Sequence, residues 1–170
     1  LHPAVARAFG LPAATAVAAS DLREPLSRMR WSADDLLHEL HRYPRRELGH
    51  ETVPLLVTLV GVDRDSQIDL GAQGTIGNII YAGADGTFCA NLTFMQAATT
   101  VTKLPGDTCR AMMPLPKPQC AVREVLKRAE AKQDGKQTLP VTVSFSVKGA
   151  QGMWHVKRPT GDEVVVLDDC

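Results

Sequence analysis

The stretch VTVSFSVK at residues 141–148 alternates apolar and polar side chains without a break. Val141, Val143, Phe145 and Val147 share one side of an extended chain; Thr142, Ser144, Ser146 and Lys148 share the other. That period describes a strand with one dry and one wet face. The preceding residues supply a partner for the dry face. In CAVREVLKRAEAK, starting at Cys120, residues Ala121, Val122, Val125, Leu126 and Ala129 recur at helical spacing, with Arg123, Glu124, Lys127, Arg128 and Glu130 outside. Two more short strands, MWHVKR and EVVVL, follow and are joined by a turn at Pro159-Thr160-Gly161-Asp162. Residues 119–170 therefore predict one helix laid across a three-stranded antiparallel unit.

Four cysteines, Cys89, Cys109, Cys120 and Cys170, form no CxxC and no Cys/His spacing of a zinc site. An even, widely spaced set with one at the last position predicts two disulfides in an oxidising compartment, periplasmic or extracellular. Three pairings are possible; Cys120–Cys170 with Cys89–Cys109 is the favoured one. The first would tie the start of the C-terminal helix to the end of the last strand. A loop of about 50 residues closed this way stabilises by ~4 kcal/mol in the chain-entropy picture. The second would pin a proline-rich crossing to a sheet. Residues 5–19 are Ala-rich, and Ala16-Val17-Ala18 resembles a signal-peptidase site. Because Pro12 breaks the stretch, it reads as an N-terminal arm or short helix, with a signal peptide removed upstream of Leu1.

A chain of 170 residues suits one domain, or one with an appendage. Nineteen basic and nineteen acidic residues cancel, so the basic excess of a duplex-binding surface is missing and nucleic acid is not an expected partner. No run of 18 apolar residues occurs, so no membrane-spanning helix is expected. With only two Trp, two Tyr and four Phe, the core must be built mainly from Val, Leu, Ile and Ala.

Residues 1–50 read as an N-terminal helical arm or pair. Ser20–Arg30 is helix-permissive, with Pro25 in a first turn. Ser32 has the look of an N-cap for a helix over 33–43, with Asp34 and Asp35 near its positive end and Pro44 ending it. Leu36, Leu37, Leu40 and Tyr43 form its apolar side, and Met29 and Trp31 would staple its start. Residues 51–170 read as an antiparallel sheet domain. VPLLVTLVGV at 53–62 is a buried strand, 67–70 a short return strand, and residues 78–82 and 87–95 a hairpin around Gly83-Ala84-Asp85-Gly86. In the second arm Cys89, Asn91 and Thr93 lie on the polar face, where Cys89 can reach an overlying loop. From Gln96 to Pro118 prolines dissolve the pattern, although Thr99–Leu104 can add one strand. The expected class is α+β: an antiparallel sheet of six to eight strands covered by an N-terminal helical pair and one C-terminal helix, stapled by disulfides. The element order resembles cystatin-like and nuclear-transport-factor-like folds, a resemblance that does not set function.

Candidate chemistry is sparse. His38 and His41 stand three apart, not the four that place two zinc ligands on one helix face, and His50 is only near in sequence. Gly71, Gly74 and Gly77 lack the lysine of a phosphate loop and read as tight turns. Ser32, Ser66, Ser144 and Ser146 sit in cap, turn or strand positions, outside any GxSxG. Cys120 and His155 could be drawn as a thiol–imidazole pair, but the bridge would occupy that sulfur. Asp63/Asp65 and Asp168/Asp169 read as solvated ends, and Asn91-Leu92-Thr93 is a glycosylation sequon. Trp154 and His155 alternate, so only one of them faces the helix. No catalytic set, metal site or cofactor is therefore expected. The expectation is an exported, non-enzymatic binding or assembly protein that recognises another protein or a small ligand through a groove or the Pro-rich loop. Met112, Met113, Leu115 and Trp154 are its candidate binding residues. The alternatives are a secreted hydrolase using a His/carboxylate site and a structural subunit of a surface assembly.

Overall fold

A computed structural model describes residues 29–48, 52–83, 88–95, 98–132 and 139–170. The N-terminal arm, the first expected helix, His50, the tip of the 83–86 hairpin and the segment 133–138 lie outside the described residues.

The first strand, β1 (Arg30–Ser32), runs directly into α1 (Ala33–Leu48). Ser32 caps the helix as expected: its Oγ accepts the Asp35 amide at 3.1 Å. Trp31 lies in β1, opposite Ile68 of β3 (Gln67–Asp69), and packs against the core that includes Leu36. The helix also continues past Pro44, where the sequence suggested a stop. A helical proline removes one backbone donor and crowds the preceding turn, yet it leaves the following turns free to form.

Among the described residues seven strands make the main sheet: β2 (Thr52–Val62), β4 (Ile76–Gly83), β5 (Cys89–Met95), β6 (Ala98–Lys103), β7 (Val141–Lys148), β8 (Gln151–Lys157) and β9 (Glu163–Leu167). Their order is β6-β5-β4-β2-β7-β8-β9, and every pairing is antiparallel. The central strand β2 bonds β4 on one side and β7 on the other, so the two halves of the chain share one sheet.

The dry face is the one that alternation assigned. Val143, Phe145, Trp154, Val156 and Val166 join Val57, Leu59, Ile79, Leu92 and Phe94 in one core. Leu36, Leu40 and Tyr43 of α1, with Val122, Val125, Leu126 and Ala129 of α3 (Val122–Ala131), fill it from above. Aromatic contacts are edge-on for Tyr43 and Phe94, centroids 5.0 Å apart, and tilted for Phe145 and Trp154 at 4.6 Å.

Two disulfides join Cys89 to Cys109 and Cys120 to Cys170, the pairings favoured from the sequence. They are consistent with an oxidising, periplasmic or extracellular location. Cys89 lies on the face away from α1 and α3 and ties down the short helix α2 (Gly106–Arg110). There Leu55, Ile80, Leu104 and the cystine form a second, smaller apolar cluster. The Gln96–Pro118 stretch thus contributes the one strand expected of it, β6, and in addition the short helix α2.

The helix α3 has no side-chain cap of its own, but Asp34 supplies one from the first turn of α1. Its Oδ1 accepts the Val122 amide at 2.8 Å. We expect Asp34→Ala to cost about 1 kcal/mol, the usual value of a lost cap, read as a shift of the urea midpoint at unchanged slope.

Candidate functional site

The second face of the sheet carries the wet residues of each strand, and the register lines them up. Thr93 stands opposite Asn78, Asn78 opposite Thr58, Thr58 opposite Ser144, and Ser144 opposite His155. One polar row therefore crosses five strands, roughly 19 Å at ~4.8 Å per strand. Much of it is out of water: Thr58 and Asn78 are 1 % exposed and Thr93 6 %. Thr58 and Ser144 share a hydrogen bond of 3.0 Å. The Asn78 amide nitrogen donates to Asn91 Oδ1, to the Leu92 carbonyl at 3.3 Å and to Thr93 Oγ1 at 3.0 Å. Its carbonyl oxygen, Oδ1, is buried without a hydrogen-bond partner among the described residues. An orphaned acceptor of this kind costs about 1–3 kcal/mol, and native folds normally satisfy it.

Above this row lies a groove of about 810 Å³. Its floor includes Thr58, Asn78, Ser144, Ser146 and His155; Leu56, Val60, Ile76 and Val141 add apolar walls. One rim is the turn Gln73–Thr75, and the other is formed by Lys157, Arg158 and Pro159. A bulge between Val60 and Val62 shapes the first rim. Gly61 sits there at φ +94°, and a Cβ on it would run into Thr75 Cγ2, so only glycine fits both the backbone and the approach. Thr75 Oγ1 in turn bonds the carbonyls of Asp69 and Ala72, which holds the turn in place.

At the β7–β9 end the row turns into a chain of three polar groups. His155 Nε2 lies 3.0 Å from Ser146 Oγ, and its Nδ1 lies 2.6 Å from Glu163 Oε1. Both neighbours reach the ring diagonally, because His155 itself opposes Ser144 and Val165. In the tautomer whose Nδ1–H donates to Glu163 Oε1, Nε2 is left to accept from the Ser146 hydroxyl. The histidine and glutamate side chains are 28 % and 44 % exposed, so the chain opens toward solvent.

Comparison with protein-family models, with curated proteins and with solved structures finds no match for this chain. What the groove can do must then follow from its own residues.

The four candidate binding residues are scattered. Leu115 is 9 % exposed, belongs to the main core, and donates its amide to the Pro54 carbonyl at 2.8 Å. Met112 packs on the second apolar cluster, and Met113 is 49 % exposed. Trp154 is fully buried, and its indole N–H donates to Asp168 Oδ1 at 2.9 Å. Its neighbour His155 is the one that faces the groove. Within the Pro-rich stretch Leu115 is packed inward, while Met113, Pro114, Pro116 and Lys117 stay exposed.

Asp168 is no solvated end. It is 6 % exposed and also accepts the amides of Gln119, at 2.9 and 3.1 Å, and Cys120 at 2.8 Å. Asp169 fits the solvated reading better and pairs with Arg128 at 2.6 Å. Asn91 of the sequon is 1 % exposed and hydrogen-bonded within the sheet, so the folded chain does not present it. Gly74 occupies an open turn at φ +83°, and Gly77 lies in β4 beneath Leu36 and Leu40; neither cradles an anion. Among the described residues no three His, Cys, Asp or Glu side chains are placed to hold a metal.

His38 is exposed on α1, whereas His41 is half-buried. Burial, helped by the nearby His38 charge, holds the His41 imidazole below its ordinary pKa of 6.5. The unfolded chain then binds more protons below that pH, so stability falls as pH drops from about 6.5 toward the folded-state value. Melting curves between pH 7 and pH 5 should show this slope, and His41→Gln should flatten it.

Proposed function

We propose that the protein is an exported binding protein whose groove takes a small polar ligand. One observation carries this reading: a pre-formed groove of about 810 Å³ floored by the polar row Thr58, Asn78, Ser144 and His155. Ligand sites of about 300–1,000 Å³ combine apolar walls with a few placed polar groups, and this groove has both. The Pro-rich loop is the weaker recognition surface, since Leu115 and Met112 are spent on internal packing. The two disulfides support an exported setting.

A thermal-shift screen with small hydroxylated and amide compounds tests it, run in parallel on Thr142→Trp. Thr142 lines the groove and is half-buried, so the indole fills the space above the row. A compound at 100 times its Kd stabilises by about 2.7 kcal/mol. In a chain of this size that amounts to a rise of roughly 5–11 °C. The wild type should show such rises and the filled variant should lose them. A library that stabilises neither protein, or both equally, would overturn the reading.

A further inference from the structure

We propose that Ser146 is a nucleophile in this groove, with His155 as its base and Glu163 as the positioning carboxylate, acting on small acyl esters. Delivery of the ester rests on the groove reading above; the reactivity of the serine does not.

Nucleophilic catalysis by serine requires a base in contact with the hydroxyl and a third group that fixes the base. Those two contacts are the 3.0 and 2.6 Å hydrogen bonds at His155. Three adjacent strands hold the set, and rigid elements position side chains better than loops do. β8 is paired on both sides at His155, whereas the pairing of β7 with β2 runs only as far as Phe145, so Ser146 lies just beyond the end of that ladder. Side-chain donors for the oxyanion are present in the groove. Lys157, two residues from His155 on the same face, and the Ser144 hydroxyl line the same groove.

The step balances without any reagent beyond water. Ser146 Oγ attacks the acyl carbon, its proton passes to His155 Nε2, and the carbonyl electron pair moves onto oxygen. Collapse breaks the bond to the leaving alkoxide, which carries off the proton from Nε2. An acyl-serine and a free alcohol result. Water then repeats the sequence in reverse roles, releasing the carboxylic acid and restoring Ser146. Glu163 keeps its charge throughout and steadies the transient imidazolium.

An alkyl fluorophosphonate reports on such a serine, forming an Oγ–P bond as fluoride leaves with the serine's proton. Peptide mapping of the labelled wild type should place the adduct on Ser146. Ser146→Ala should abolish it, and both His155→Ala and His155→Gln should slow it at least 100-fold while circular dichroism stays that of the wild type. Glu163→Ala should slow it about tenfold, and Glu163→Gln, whose amide oxygen can still accept from Nδ1, should recover much of the rate, which a merely structural role would not do. No adduct on Ser146, or labelling at an equal rate in both His155 variants, overturns the proposal. Thr142→Trp separates the two readings. Labelling that survives in this variant keeps the nucleophile and removes the groove as the route to it. A wild type that resists labelling yet binds compounds in a Thr142-dependent way keeps the groove and removes the nucleophile.

Discussion

Asp168→Ala is expected to destabilise the fold by about 4 kcal/mol, more than any other single side-chain truncation outside the apolar core. The carboxylate gathers three donors, the amides of Gln119 and Cys120 and the Trp154 indole, from two distant parts of the chain. Removing it leaves those donors facing a buried space, at about 1–3 kcal/mol for each group that water cannot reach. Asp168→Asn should be milder, near 2–3 kcal/mol, since one oxygen remains while an amide N–H₂ now opposes a donor. Urea melts at constant slope would give both values. An alanine variant within about 0.5 kcal/mol of the wild type would mean that water satisfies these groups and the carboxylate is not a structural hub.

Removing the Cys120–Cys170 bridge should have an effect of similar size. The two residues are 50 apart in sequence, and a loop of that length costs about 4 kcal/mol of unfolded-state entropy when released. The double alanine variant is the cleaner test, because it leaves no free thiol. The Cys89–Cys109 bridge closes a separation of 20 and should count for about 3 kcal/mol, so the order of the two effects is itself a prediction. Asp168 also holds the Cys120 amide, so the two perturbations share a partner. Combined, they should cost less than their sum, since what the bridge pins has already been loosened.

Which features could be read from the chain follows from how local they are. The faces of β7 and the buried stripe of α3 are written in adjacent residues, so periodicity found them. The disulfides were reachable because Cys120 and Cys170 bracket one module and Cys89 points to the wet side of its strand. The passage of α1 through Pro44 was missed because a local breaker signal is weighed without the packing around it. The polar row was missed for a different reason. In β4, Asn78 sits among Ile76, Ile79 and Ile80, and in β2 Thr58 sits among Leu56, Val57 and Leu59, where each looks like a lone interruption. Only the register across β5, β4, β2, β7 and β8 assembles them into one surface. Ser146, His155 and Glu163 likewise belong to three strands, and no spacing within the sequence announces a diagonal contact. Asp168 looked like a chain end; nothing local says that a carboxylate near a terminus will be folded under a tryptophan.

The groove as the place where a ligand is held is most directly tested by amide-resolved chemical-shift mapping during titration with compounds selected by thermal shift. We expect the perturbed amides to cluster at Thr58, Asn78, Ser144 and His155 and along the Gln73–Thr75 turn. Shifts confined to Met112–Pro116, with the five-strand row unmoved, would contradict that assignment.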